Sequence, residues 1–134
     1  MVQIVTADYS TLTTSSSNVY ADTGLSGTIT PTSASNKIII FTNQNCQKTS
    51  ANGGTGVNMR LLRGATALKT YNGQFYTNTQ MNFTGAINLI YVDSPNTTSA
   101  TTYKTQFSTD NALPQIVAQY NNERSEIILV EVTP

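Results

Sequence analysis

The carboxylates Asp93, Asp110, Glu123, Glu126 and Glu131 are side chains with which this sequence could do chemistry. Two of them facing each other, one protonated and one ionised, could hydrolyse a glycosidic bond. None stands in a recognisable motif. Each falls in a turn or at a strand edge by local composition, where carboxylates are ordinarily solvated. The chain has no histidine, which excludes Ser-His-Asp and Cys-His catalysis and removes the commonest imidazole metal ligand. Asp93 with Asn96 could offer oxygens to calcium, but the dense acidic spacing of a calcium loop is missing. Asp93-Ser94-Pro95-Asn96 reads instead as a capped turn. The glycine-rich stretch 51–56 lacks the Gly-Lys-Ser/Thr ending that serves phosphate and magnesium, and is expected to be a hairpin loop. The residues point to no enzyme, no cofactor and no bound metal.

The tyrosines offer rings with a polar tip, suited to stacking on sugars, to packing between subunits, or to the rim of a core. The absence of tryptophan weakens the lectin case. Lysines and arginines are scattered and the formal net charge is +0. No basic stripe exists to neutralise a phosphate backbone, so no nucleic-acid partner is expected. No apolar run is long enough for a membrane helix, and the first residues lack the basic start and apolar middle of a signal peptide. Synthesis in the cytoplasm without processing is expected, with no membrane partner.

The composition favours strands. Only 10% of the 134 residues are charged, against a usual ~25%. Thr, Ser, Asn and Gln supply the missing polarity; threonine suits a pleated, half-buried surface and Asn and Ser suit turns. The length fits one domain over 1–134. The single cysteine, Cys46, rules out an internal disulfide and is expected to be small buried matter.

Val2 to Ala7 reads as an opening strand, and the polar stretch Tyr9 to Asn18 as an exposed arm or loop, so that 1–18 is a candidate N-terminal arm. A strand follows over 19–31, ended by Pro31, and then a turn over 33–36. Ile38, Ile39, Ile40 and Phe41 are apolar on both alternating faces, the pattern of a central strand covered on both sides. Residues 57–62 and 67–71 form a hairpin, 72–80 reads as irregular, and 81–92 alternates clearly. Tyr103, Thr105 and Phe107 alternate against Thr102, Lys104 and Gln106, a one-sided strand. Residues 116–120 and 125–132 read as a closing hairpin. Many short strands with variable loops predict an all-β fold, a jelly-roll-like β-sandwich burying facing apolar rows.

Several stretches together resemble small β-structured virion proteins of tailed bacteriophages of cyanobacteria and other marine bacteria. They are Thr23-Gly24-Leu25, Thr28-Ile29-Thr30-Pro31, Ser35-Asn36-Lys37-Ile38-Ile39-Ile40, Met59-Arg60-Leu61-Leu62-Arg63-Gly64, Tyr91-Val92-Asp93-Ser94-Pro95, 98–104 and 125–132. The strand order also resembles the jelly roll of the complement C1q and tumour-necrosis-factor group, on Val57-Asn58-Met59 followed by Arg63-Gly64 and a closing apolar strand. The resemblance implies a homotrimer on the virion surface: a head decoration (cement) protein bound to the major capsid protein. Its alternatives are a tail-fibre or tail-tip subunit with tail proteins or a host surface glycan as partner, and a small carbohydrate-binding lectin. On that reading Tyr91, Tyr103 and Phe107 are candidate trimer anchors, with the interior of the chain's own sandwich as the alternative place for any of them. Val2, Ile4 and Val5 are candidates for a capsid-contacting arm that adds to another chain's sheet edge, the alternative being that Val2 to Ala7 completes this domain's own sheet.

Overall fold

The computed structural model describes residues 1–49, 54–110 and 115–134. The strands are β1 (Gln3–Tyr9), β2 (Thr13–Ser15), β3 (Ala21–Ile29), β4 (Lys37–Lys48), β5 (Thr55–Arg63), β6 (Thr66–Thr77), β7 (Phe83–Asp93), β8 (Thr101–Ser108), β9 (Ile116–Ala118) and β10 (Ser125–Val132). The predicted loop over 51–56 falls partly outside the described residues; Thr55 and Gly56 already belong to β5.

Two antiparallel sheets face each other. In the first, β4 is central, with β7 along one side and β10 followed by β9 along the other. β1 and β2 continue outward beyond β10 and β9. The second sheet runs β3-β8-β5-β6. The chain therefore crosses between the sheets repeatedly, at β2–β3, β3–β4, β4–β5, β6–β7, β7–β8 and β8–β9. The expected all-β sandwich is what the chain forms. Its core is Leu25, Ile38, Ile40, Met59, Leu89 and Phe107 with their neighbours, contributed by both inner faces.

Four local expectations are corrected. Segment 9–18 is not a free arm: β2 pairs with β9 from Thr13 to Ser15. Segment 72–80 is not wholly irregular, because β6 continues to Thr77. Left-handed backbone at Gly73 and Phe75 and register shifts against β5 break the alternation there and hide the strand from a period-2 reading. Residues 116–132 are not a hairpin, since β9 and β10 lie end to end along the same side of β4. At the break, Gln119 adopts left-handed backbone and buries its side chain. Its Nε2 donates to the Thr11 and Thr23 carbonyls, and its Oε1 accepts from Gln44 and Ser125. Gln44 Oε1 accepts in turn from Thr105, which is paired with Thr23. A buried polar chain satisfied in this way links the two sheets without stranding a donor or acceptor.

The fourth correction concerns acids. Asp93 and Glu131 are buried, not solvated. Asp93 receives Arg63 Nη1 at 2.6 Å on both oxygens and the Tyr103 hydroxyl at 2.7 Å. Glu131 Oε1 accepts from Asn36 Nδ2 (2.7 Å), the Thr32 amide (2.7 Å) and the Thr32 hydroxyl (2.9 Å), while Oε2 accepts from Gln3 Nε2 (2.6 Å). Burial alone would push this carboxyl up. The hydrogen bonds from Asn36, Gln3 and Thr32 outweigh it and hold the value at about 2.

Because the folded value lies below the ordinary 4.5, the stability this network confers is complete above that pH. It is lost as pH falls from there through about 2. Urea unfolding midpoints are therefore expected to drop more steeply across this window in the parent than in Glu131→Gln, which has nothing to protonate. Equal slopes in the two proteins would contradict the assignment.

Candidate docking face

Strand alternation decides which of the sequence-derived candidates can meet a partner. Tyr103 and Phe107 share the inward parity of β8 and are fully buried, and Tyr91 packs half-buried against the same core from β7. Tyr103 and Phe107 therefore belong to this chain's own sandwich and have no surface to give another subunit, while Tyr91 keeps part of its ring accessible. In the first strand, Val5 faces inward against the core, while Val2 and Ile4 are exposed. Pairing with β10 along all of β1, together with the Gln3–Glu131 bond, fixes this strand in its own sheet. The arm is thus corrected to an edge strand.

What the outward positions carry is a block of apolar side chains. Ile4, Val130, Ile39 and Val92 stand directly across from one another on β1, β10, β4 and β7. Two residues along, Thr6, Ile128, Phe41 and Ile90 form the next row. Ile90 is 55% exposed, Val92 53%, Ile4 52% and Phe41 40%, so the sandwich itself leaves them largely uncovered. The polar row Asp8, Glu126, Asn43 and Asn88 bounds them, and Phe41, Ile90 and Ile128 line a shallow depression against it. Ile38 and Ile40 are buried as expected, but the other side of this two-sided strand faces outward. Contiguous apolar surface rimmed by polar residues marks an interaction site in a folded protein.

The opposite sheet is different. Its outer face carries the Thr28–Thr102 hydroxyl pair, the Asp22–Lys104 ion pair and Arg60 bonded to Gln106. Hydrogen bonds from Gln106 and Lys104 hold the Asp22 carboxyl below its ordinary value. The outer face of one sheet is therefore polar, whereas that of the other carries exposed apolar rows.

A second apolar patch lies at the far end of β7. Phe75 and Phe83 stack with centroids 5.4 Å apart, and Tyr76 and Met81 stand exposed beside them. A Cβ on Gly85 would come within 2.8 Å of the Phe75 ring, so only glycine lets that ring lie on β7. Phe75 also holds φ at 60°, a strain of order 1–3 kcal/mol for a non-glycine residue. At the side of β7, Lys69 Nζ donates to the Ile90 carbonyl at 3.1 Å, the kind of charge that discourages edge-to-edge strand addition. Association through faces is left open.

With this geometry, the chain aligns with the structure of infectious bursal disease virus, Gt strain, at a TM-score of 0.51 and 12% identity over 96% of its length. What they share is the fold. The chain spans about a third of that protein, 33% of its length. The virus's Gx strain and its VP2 subviral particle are similar at 12% and 11% identity over 95% of this chain and 36% of theirs, with TM-scores of 0.46 and 0.44. No protein-family model and no curated protein matches the sequence.

The remaining acids, Asp110, Glu123 and Glu126, are exposed, as carboxylates usually are. Cys46 is buried, and burial pushes its thiol up to about 12, so it stays a protonated core residue. Among the described residues no cluster of His, Cys, Asp and Glu could hold a metal ion.

Proposed function

We propose that this chain is a structural subunit of a virus particle, a bacteriophage head decoration protein that assembles as a homotrimer through its apolar sheet face. The observation that carries the reading is the uncovered double row on β1, β10, β4 and β7. Four strands at about 4.8 Å spacing and two rows at about 6.6 Å along each strand make a face of about 250 Å². A specific contact buries ~800 Å² per partner, so the face alone falls short. The Phe75–Phe83 patch is a second apolar surface on which such a contact can draw. Two dissimilar patches on one chain suit a head-to-tail contact, which closes into a ring when the rotation permits. In such a ring every chain is buried twice. A fold shared with proteins of infectious bursal disease virus and the phage resemblance of the sequence support the setting.

A reconstruction of the particle carrying this chain tests the reading. Density for three copies on the capsid, the apolar sheet face of each against the Phe75–Phe83 patch of the next, is the expected result. Density only on the tail would replace the head assignment with a tail one, and a particle without the chain would overturn the proposal.

A further inference from the structure

We infer that the polar sheet carries a binding site for a neutral pyranose sugar, in the open depression where Tyr20, Asn58, Thr70, Asn72 and Asp110 meet. This goes beyond the assembly role and uses the opposite face of the sandwich. The depression has a volume of about 540 Å³, within the ~300–1,000 Å³ of ligand pockets.

Its floor is preorganised. Asn58 is only 8% exposed, and its amide is spent. Nδ2 donates to Asp110 Oδ1 at 3.0 Å and to Ser108 Oγ at 3.5 Å, while Oδ1 accepts the Gly73 amide at 2.8 Å. The Asp110 carboxylate is thereby oriented, and its Oδ2 has no partner among the described residues. The Tyr20 ring is fixed by the Arg60 guanidinium, 4.0 Å from its centroid, and Arg60 is itself held by Gln106. Exposed Asn72 and Thr70 add an amide and a hydroxyl at the rim.

A flat ring beside an aimed carboxylate and an amide is complementary to a pyranose. The C–H face of the sugar packs on the ring, and vicinal hydroxyls donate to the carboxylate and accept from the amide. The Asp110 carboxylate disfavours uronates, sialates and phosphates, and the Arg60 guanidinium is committed to the Tyr20 ring and Gln106, so the ligand class proposed is neutral.

The test is an NMR titration of the full chain with the methyl glycosides of glucose, galactose, mannose and N-acetylglucosamine at millimolar concentration. At least one is expected to shift the Asn72 side-chain amide and the backbone amide of Tyr20. Asp110→Asn and Tyr20→Ala should each weaken binding by about tenfold, the loss of one charge-assisted hydrogen bond or one stacked ring. Asp110 is exposed, so its variant should melt with the parent; if Tyr20→Ala melts early, Asp110→Asn decides alone. Phe41→Asp, on the other sheet, should leave sugar binding unchanged, which separates this site from the assembly face. No shift with any of the glycosides, equal affinity in Asp110→Asn, or tighter binding of glucuronate would overturn the inference.

Discussion

Replacing Ile40 with alanine is expected to cost about 2–5 kcal/mol of stability. Ile40 lies fully buried on the inner face of the central strand, between β10 and β7, where it pairs with Leu129 and Tyr91. Removing its outer carbons leaves a cavity that neighbours on both sheets are too constrained to fill. Ile39→Ala, one residue away, is expected to cost under about 1 kcal/mol in the isolated chain, because that side chain stands on the half-exposed outer face. Urea denaturation of both variants checks the contrast. Equal losses would mean that the two faces of β4 are equally covered.

That contrast shows what could be read from residues alone. The apolar run 38–41 marks a central strand, but alternation cannot say which of two apolar faces the chain covers itself and which it leaves exposed. The same ambiguity puts Tyr103 and Phe107 at an interface, where neither has any surface to offer. Their strands were legible, and Tyr103 and Phe107 were even placed on one face, yet that face is the inner one. Glu131 looked like an exposed strand residue because its partners Asn36, Thr32 and Gln3 are far away in the chain. Gln119 was hidden for the same reason, reaching Thr11, Thr23 and Gln44 from a break between two short strands. The sugar depression draws on β5, β6 and the segments ending at Tyr20 and Asp110, which no linear spacing connects. Local pattern reveals elements; partners gathered by topology have no local signal.

The double variant Phe41→Asp/Ile90→Asp is expected to fold like the parent and to associate at least ~100-fold more weakly. Both side chains are substantially exposed in the single chain, so carboxylates there remain hydrated while it is alone. In the assembly each would be buried among Ile39, Val92, Ile128 and the surface of a neighbour, at a cost of several kcal/mol per charge. Since about 1.4 kcal/mol is tenfold in affinity, a hundredfold loss is a conservative figure. Gel filtration across a dilution series, with thermal melting to establish folding, reads both quantities. Unchanged association would assign the contact to another surface.

Sedimentation equilibrium of the parent chain at micromolar concentration asks the central question most simply. A single species of three times the 14.5 kDa chain mass is the predicted result. A 14.5 kDa monomer throughout that range would contradict the reading of the apolar sheet as a self-association face.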